Sequence, residues 1–205
     1  MINLLILGAG ALAEDVLDFI ESDASCALSG FVEGVDRPGS GREIHGYPVH
    51  WIDDIADMAA DHLILPAIGS VARRVPVETL LEQGFRLHTL VHARAYVAGS
   101  AALGAGIVVA PGAVVAARCH IGEGVYVNRA ATIGHHTTVG AYSTVCPGVN
   151  VGGRCAIGDG VFLGIGATVI DRITIGDGAF VAAGALVTED VGAGARVAPL
   201  RRRAP

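Results

Sequence analysis

Residues 121–145 read IGEGVYVNRAATIGHHTTVGAYSTV. Cut every six residues, the stretch gives IGEGVY, VNRAAT, IGHHTT and VGAYST, each opening on Ile or Val. The pattern extends both ways. From Val97 to Val187, sixteen successive hexads open on Val, Leu or Ile. The fifth position is small or β-branched, as in Ala113, Cys119, Val125, Ala131, Thr137 and Ser143. Glycine often fills the second, as in Gly122, Gly134, Gly140, Gly158 and Gly176. A helix repeats near 3.6 residues and a half-buried strand near 2, so a period of six fits neither. It fits a coil of three short faces, stacked into a triangular prism. The first position points into the prism and must be aliphatic. The fifth points in near a corner. The second is expected at the turn, where a positive φ favours glycine. This predicts an all-β, left-handed parallel β-helix over residues 92–205. Three hexads make one coil, so residues eighteen apart stack about 4.8 Å from one another.

Residues 1–91 follow another rule. Asn3–Leu7, Ala27–Val32, His62–Ala67 and Arg86–Leu90 read as strands. Ala11–Ser22, Asp53–Ala60 and Val71–Gln83 read as helices, and residues 34–46 as a loop. Alternating strands and helices predict a small Rossmann-like α/β domain. Gly8-Ala9-Gly10 sits between the first strand and the first helix, with Ala13 three residues on, which is the dinucleotide fingerprint. Its backbone N–H groups suit a phosphate. Glu33 closes the second strand and could take a ribose hydroxyl. Gly34 follows it, and Gly69-Ser70 forms a second loop at the same sheet edge, where ligands of such sheets bind. The unit is half of a full dinucleotide fold, so a nucleotide other than NAD is expected.

Inside the repeat, His120, Asn128, Arg129, His135 and His136 stand out on a surface that is otherwise ordinary. Histidine exchanges protons near neutrality, which suits His135 to acid–base work. Since 135 and 153 differ by eighteen, Gly153 should stack on His135, and its N–H could hold an oxyanion. His136 should lie between Arg118 and Arg154, which disfavours its protonated form. The histidines lack the pair five residues apart found in three-histidine hexapeptide metal sites, so no metal is expected.

A small α/β domain followed by hexapeptide repeats resembles the bacterial sugar O/N-acyltransferases of surface-glycan synthesis. That group includes UDP-4-amino-sugar N-acetyltransferases and sialic acid O-acetyltransferases. The most specific likeness is NRAATIGH over Asn128–His135, then Thr138-Val139-Gly140 and Pro147-Gly148-Val149. The resemblance implies an acetyl-CoA-dependent transfer to a nucleotide-linked amino sugar. His135 is then the general base, and the Gly153 N–H faces the thioester carbonyl. From the residues themselves, Asn128 and His136 join the candidate catalytic set, His136 in a structural or supporting role. Thr144, Ile165 and Ala183 would line the coenzyme A groove. Gly8, Ala9, Gly10, Glu33, Gly34 and Gly69 would hold the nucleotide-sugar. A homotrimer with sites between subunits is implied. O-acetylation of a sialic acid or other sugar, and a non-catalytic sugar-nucleotide-binding trimer, remain as alternatives. The chain departs from the family twice. His136 replaces the acid usual after the base, and GAGALA replaces a Gly-His-Gly loop.

Composition narrows the class. The 205 residues contain no lysine and carry a net charge of −6, which argues against nucleic acid. Residues 1–90 carry −9 and residues 91–205 carry +3, so only the latter suits an anion such as coenzyme A. No apolar run reaches the roughly 18 residues of a membrane span. The start carries no leader pattern, so a cytoplasmic protein is expected. Cys119 and Cys155, both at fifth positions, read as core filler. The terminal Arg201-Arg202-Arg203 reads as a solvated tail that could help to bind coenzyme A phosphates.

Overall fold

The computed structural model describes residues 1–21, 25–35, 37 and 41–199. Arg201–Arg203 lie outside the described residues. The chain divides into two compact units. One is Met1–Ala93 with Ala105–Val108, and the other is Arg94–Gly104 with Val109–Pro205.

The first unit is α/β. Its sheet has the order β3-β4-β2-β1-β5-β6. The strands are β1 (Ile2–Leu7), β2 (Cys26–Glu33), β3 (Glu43–Ile44), β4 (Tyr47–Trp51), β5 (His62–Pro66) and β6 (Arg86–Leu87). β1 is central because Leu4–Leu7 are apolar in succession. They are fully buried, as a strand covered on both faces demands. Helices α1 (Ala11–Glu21) and α2 (Arg74–Glu82) accompany the sheet. The stretch read as a loop holds β3, and β4 follows it as a further strand. β4 carries Pro48, which disguises a strand in sequence. It pairs in parallel with β2 and antiparallel with β3. Asp53–Ala60 forms 3₁₀ turns at Ile52–Asp54 and Ala56–Ala60 in place of an α-helix.

The second unit is the left-handed parallel β-helix. Two-residue strands line three faces. Tyr126–Val127 lies on the first, Thr132–Ile133 on the second and Thr138–Val139 on the third. Register is eighteen residues as far as Leu186–Val187, with Val114 beside Thr132 and Thr132 beside Asn150, and shortens to sixteen in the last coil, where Phe180 pairs with Arg196. The first-position aliphatics Val115, Ile133, Val151 and Val169 are buried on the second face. Two fifth-position residues are polar and fully buried, and the next coil satisfies them. Thr137 Oγ1 donates to Gly152 O at 2.9 Å and accepts from Cys155 N at 3.1 Å. Ser143 does the same with Gly158 O and Val161 N.

The structure corrects one expectation about the turns. Positive φ falls at the fourth hexad position, as at Gly124 (φ 62) and Gly148 (φ 68), and not at the second. Second-position glycines are small for a steric reason, because the backbone of the next coil lies against them. A Cβ on Gly122 would come 2.6 Å from Ala141 N, and one on Gly164 2.6 Å from Ala183 N.

Candidate active site

The corner between the second and third faces carries Gly134-His135-His136-Thr137. His136 takes the left-handed turn conformation (φ 61), and its N–H donates to Ala117 O at 2.9 Å. His135 O accepts from Arg154 N at 2.8 Å. Both histidines are thus fixed from the coils on either side. The His135 side chain is exposed. Its ring rests on Gly153, where a Cβ would come 2.8 Å from Cε1 and 2.9 Å from Nε2. No other residue type leaves that space. Among the described residues, the Gly153 N–H donates to no protein acceptor.

His135 Nδ1 lies 3.0 Å from His136 Nδ1, with the rings perpendicular. One of these nitrogens must carry the shared proton. His136 is held below the usual histidine value, first by desolvation of its ring, then by His135, Arg118 and Arg154. A neutral His136 can accept a hydrogen bond on Nδ1. With the proton on His135 Nδ1, its Nε2 presents a lone pair. The acid missing after His135 is not supplied by Asp171, whose Oδ2 pairs with Arg172 Nη1 at 3.0 Å.

The structure therefore brings His135, His136 and Gly153 together. Asn128 stands apart within the chain, on the corner that precedes the second face. It is buried, and its Oδ1 accepts from Arg129 N at 2.8 Å. Ile165 and Ala183 stack on that same corner, joined by Gly184 N to Ile165 O at 2.8 Å. Ile165 is 61% exposed, unusual for isoleucine. Thr144 is buried on the first face. His120 lies on the third face, lining a shallow groove with Thr138 and Asp159. Among the described residues, no group of His, Cys, Asp and Glu side chains is placed to hold a metal.

The α/β unit has its own cavity of about 350 Å³ at the end of the parallel strands. Gly8, Ala9, Gly10, Glu33 and Gly69 line it, with Leu12, Val35 and Ile68. Gly8 has φ 121, and a Cβ there would meet Ala67 O at 3.0 Å. A Cβ on Gly69 would meet Leu12 Cδ2 at 3.1 Å, whereas one on Gly10 meets nothing within 4 Å. Glu33 Oε1 accepts from the N–H groups of Gly34 and Val35, both at 2.9 Å, which shapes the turn. Sequence reading missed Arg42. Its Nη2 donates to Ala9 O at 2.9 Å, bringing a cation to the glycine loop. Its setting in a Gly- and Arg-containing loop gave no spacing signal.

Two repeat families match the chain. The bacterial transferase hexapeptide (six repeats) covers residues 154–189, and the hexapeptide repeat of succinyl-transferase covers residues 130–157. No curated protein matches by sequence. Among solved structures, the acetyltransferase domain of PglB from Neisseria gonorrhoeae is 30% identical. The match covers 92% of each chain at a TM-score of 0.83. This chain belongs to the hexapeptide-repeat sugar acyltransferases. A second structure of the PglB domain is a complex with acetyl coenzyme A. WeeI from Acinetobacter baumannii resembles this acyltransferase at 25% identity, over 96% of each chain, with a TM-score of 0.87. PerB from Caulobacter crescentus, solved with CoA and GDP-perosamine, is 27% identical. That match covers 95% of this chain and 92% of PerB, with a TM-score of 0.79. Among the described residues, no helix of this acyltransferase is long and apolar enough to cross a membrane.

Proposed function

We propose that this acyltransferase uses acetyl-CoA to N-acetylate a nucleotide-linked amino sugar of bacterial surface-glycan synthesis, with His135 as general base. One observation carries the reading. An exposed imidazole is held over a glycine, with Nδ1 engaged by a second histidine and Nε2 left for proton transfer. The acceptor amine attacks the thioester carbonyl and passes a proton to His135 Nε2. The oxyanion is held by the Gly153 N–H. The C–S bond then breaks, the amide forms, and the coenzyme A thiolate takes the proton back from His135. His136, neutral, accepts from His135 Nδ1 and fixes the tautomer.

The α/β unit (1–91) holds the nucleotide. The glycine loop and the N-terminus of α1 receive the diphosphate, with Arg42 beside Ala9. UDP is the expected nucleotide, and the GDP-sugar bound by PerB makes GDP the alternative to test. The β-helix unit (92–205) binds acetyl-CoA along Thr144, Ile165 and Ala183. Within one chain these positions and His135 are separated by the second prism face. That separation favours a homotrimer in which adjoining prisms complete each site.

The test is release of free coenzyme A from acetyl-CoA. Acceptors are UDP- and GDP-4-amino sugars and free sialic acid, with wild type and His135→Ala compared. Turnover with one amino sugar, reduced about 10²-fold or more in the variant, is the expected result. Turnover with sialic acid alone would replace N-acetylation by O-acetylation. Binding of the nucleotide-sugar without turnover would leave a non-catalytic binding trimer.

A further inference from the structure

The fourth residue of every hexad from Leu103 to Val181 has φ between 55 and 71. On two of the three corners, glycine fills eight of these ten positions. The exceptions are Ala130 and Tyr142, and the hydroxyl of Tyr142 donates to Glu123 Oε1 at 2.6 Å. The corner beside His135 behaves differently. Its four positions are Arg118 (φ 57), His136 (φ 61), Arg154 (φ 59) and Arg172 (φ 63), with no glycine among them. Residues with side chains rarely adopt this conformation, and a run of such outliers along one edge points to a function.

These residues form a vertical ladder with rungs one coil apart, about 4.8 Å. Backbone bonds hold it rigid, with His136 N on Ala117 O, Arg154 N on His135 O and Arg172 N on Gly153 O. Asp171 pairs with Arg172. Among the described residues, neither the Arg118 nor the Arg154 guanidinium has an ion-pair partner, and both are exposed. They flank the His136 rung from the coils below and above. Each also makes protonation of His136 less favourable. Two guanidinium forks carried on the rungs either side of one histidine suit the oxygens of a phosphate ester.

We infer that Arg118 and Arg154 form a binding site for an organic diphosphate beside His135. The inference rests on the acyltransferase reading, in which both substrates carry a diphosphate. That reading already gives the nucleotide-sugar's diphosphate to the glycine loop, so coenzyme A is the expected source here, and the test separates it from the nucleotide.

The informative substitution is to glycine, the residue this conformation favours. Arg118→Gly and Arg154→Gly variants, singly and together, should fold and melt no lower than the wild type. Calorimetry on the full-length chain would use coenzyme A, UDP and GDP as probes, at low and high ionic strength. The expected result is about tenfold or greater loss of affinity in the double variant, and a weaker salt dependence. Loss for coenzyme A alone assigns the site to the acyl donor. Loss for UDP or GDP alone assigns it to the acceptor. Unchanged affinities in a wild type and variant that both bind would overturn the ladder site and leave the acyltransferase reading standing. A wild type that binds none of the probes would overturn both. Dissociation of an assembly in the glycine variants, with unchanged affinity, would assign the arginines to a subunit contact and also overturn the site.

Discussion

Gly153 Cα lies so close to the His135 imidazole that a methyl group there would come within 2.8 Å of Cε1. Gly153 itself has no positive φ, so alanine is permitted by the backbone. Gly153→Ala should therefore leave the fold intact and displace only the ring. A base moved by a fraction of an ångström loses its alignment with the acceptor. We expect kcat to fall about 10²-fold with an unchanged circular dichroism spectrum. Wild-type turnover in this variant would remove the His135–Gly153 pair from the mechanism.

The proton on His136 offers a test in solution. Its affinity is lowered by desolvation first, then by His135, and then by Arg118 and Arg154. Removing Arg118 and Arg154 takes away two positive charges, so the pKa should rise. It should stay below 6.5, because the desolvation remains. Ring resonances followed by NMR against pH give the readout. The sign for stability is also fixed. A lowered histidine pKa means that the folded chain binds fewer protons than the unfolded one below about 6.5. Stability from this group falls as pH drops through 6.5 and levels off below the folded value.

Gly8 and Gly10 should part company on substitution. Gly8 needs φ 121, and a side chain there meets Ala67 O, so Gly8→Ala should lower stability by about 1–3 kcal/mol. A methyl on Gly10 meets nothing in the protein. Gly10→Ala should melt like the wild type and bind nucleotide more weakly. Calorimetry and a melting curve on the two variants decide it, and unchanged nucleotide binding in Gly10→Ala would count against the glycine loop as its site.

Second- and fourth-position glycines should also respond differently. Gly122→Ala would drive a methyl into Ala141 N, and overpacking of this kind costs about 1–3 kcal/mol. Gly112→Ala has no atom nearer than 3.8 Å and only its φ of 71 to resist it. That residue should cost about 1 kcal/mol. Urea titrations of both variants would show whether the coil-to-coil approach is the stricter constraint.

Burial pushes the thiols of Cys119 and Cys155 up, despite nearby backbone hydrogen bonds that act the other way. Both should resist alkylation at neutral pH in the native protein, because the thiolate is the reacting form. Cys26, half-buried with its Sγ 3.8 Å from His88 Nε2, should react first. Peptide mapping after iodoacetamide treatment would show the order.

The prism was legible because its rule is one-dimensional. A residue at the first or fifth position points inward whatever its neighbours do, and Val115 or Thr137 could be placed by counting. The stacking of Gly153 on His135 followed from the same arithmetic. What counting could not reach was conformation within the turn. Glycine occurs at both the second and fourth positions, and only coordinates separate close approach at Gly122 from positive φ at Gly124. For the same reason the four basic residues at φ near 60 could not be recognised as a set. In the α/β unit, β1 was plain from Leu4–Leu7. β4 was hidden by Pro48, and Arg42 reaches Ala9 across 33 residues of chain, which no local pattern reports. The Nδ1–Nδ1 contact of His135 and His136 depends on side-chain torsions that sequence does not encode locally.

The eighteen-residue register also divides changes of chain length into kinds. Loss of one residue would turn the interior side chains of every later coil out of place. Loss of six would keep inside residues inside but advance everything downstream by one corner, putting Ile165 and Ala183 where Asp159 and Asp177 now stand. Loss of eighteen would preserve every corner and only shorten the prism, bringing Ala183 onto the place of Ile165. The distance between the His135 corner and whatever binds higher on the prism can thus be reset in whole coils, with the chemistry of each corner left as it was.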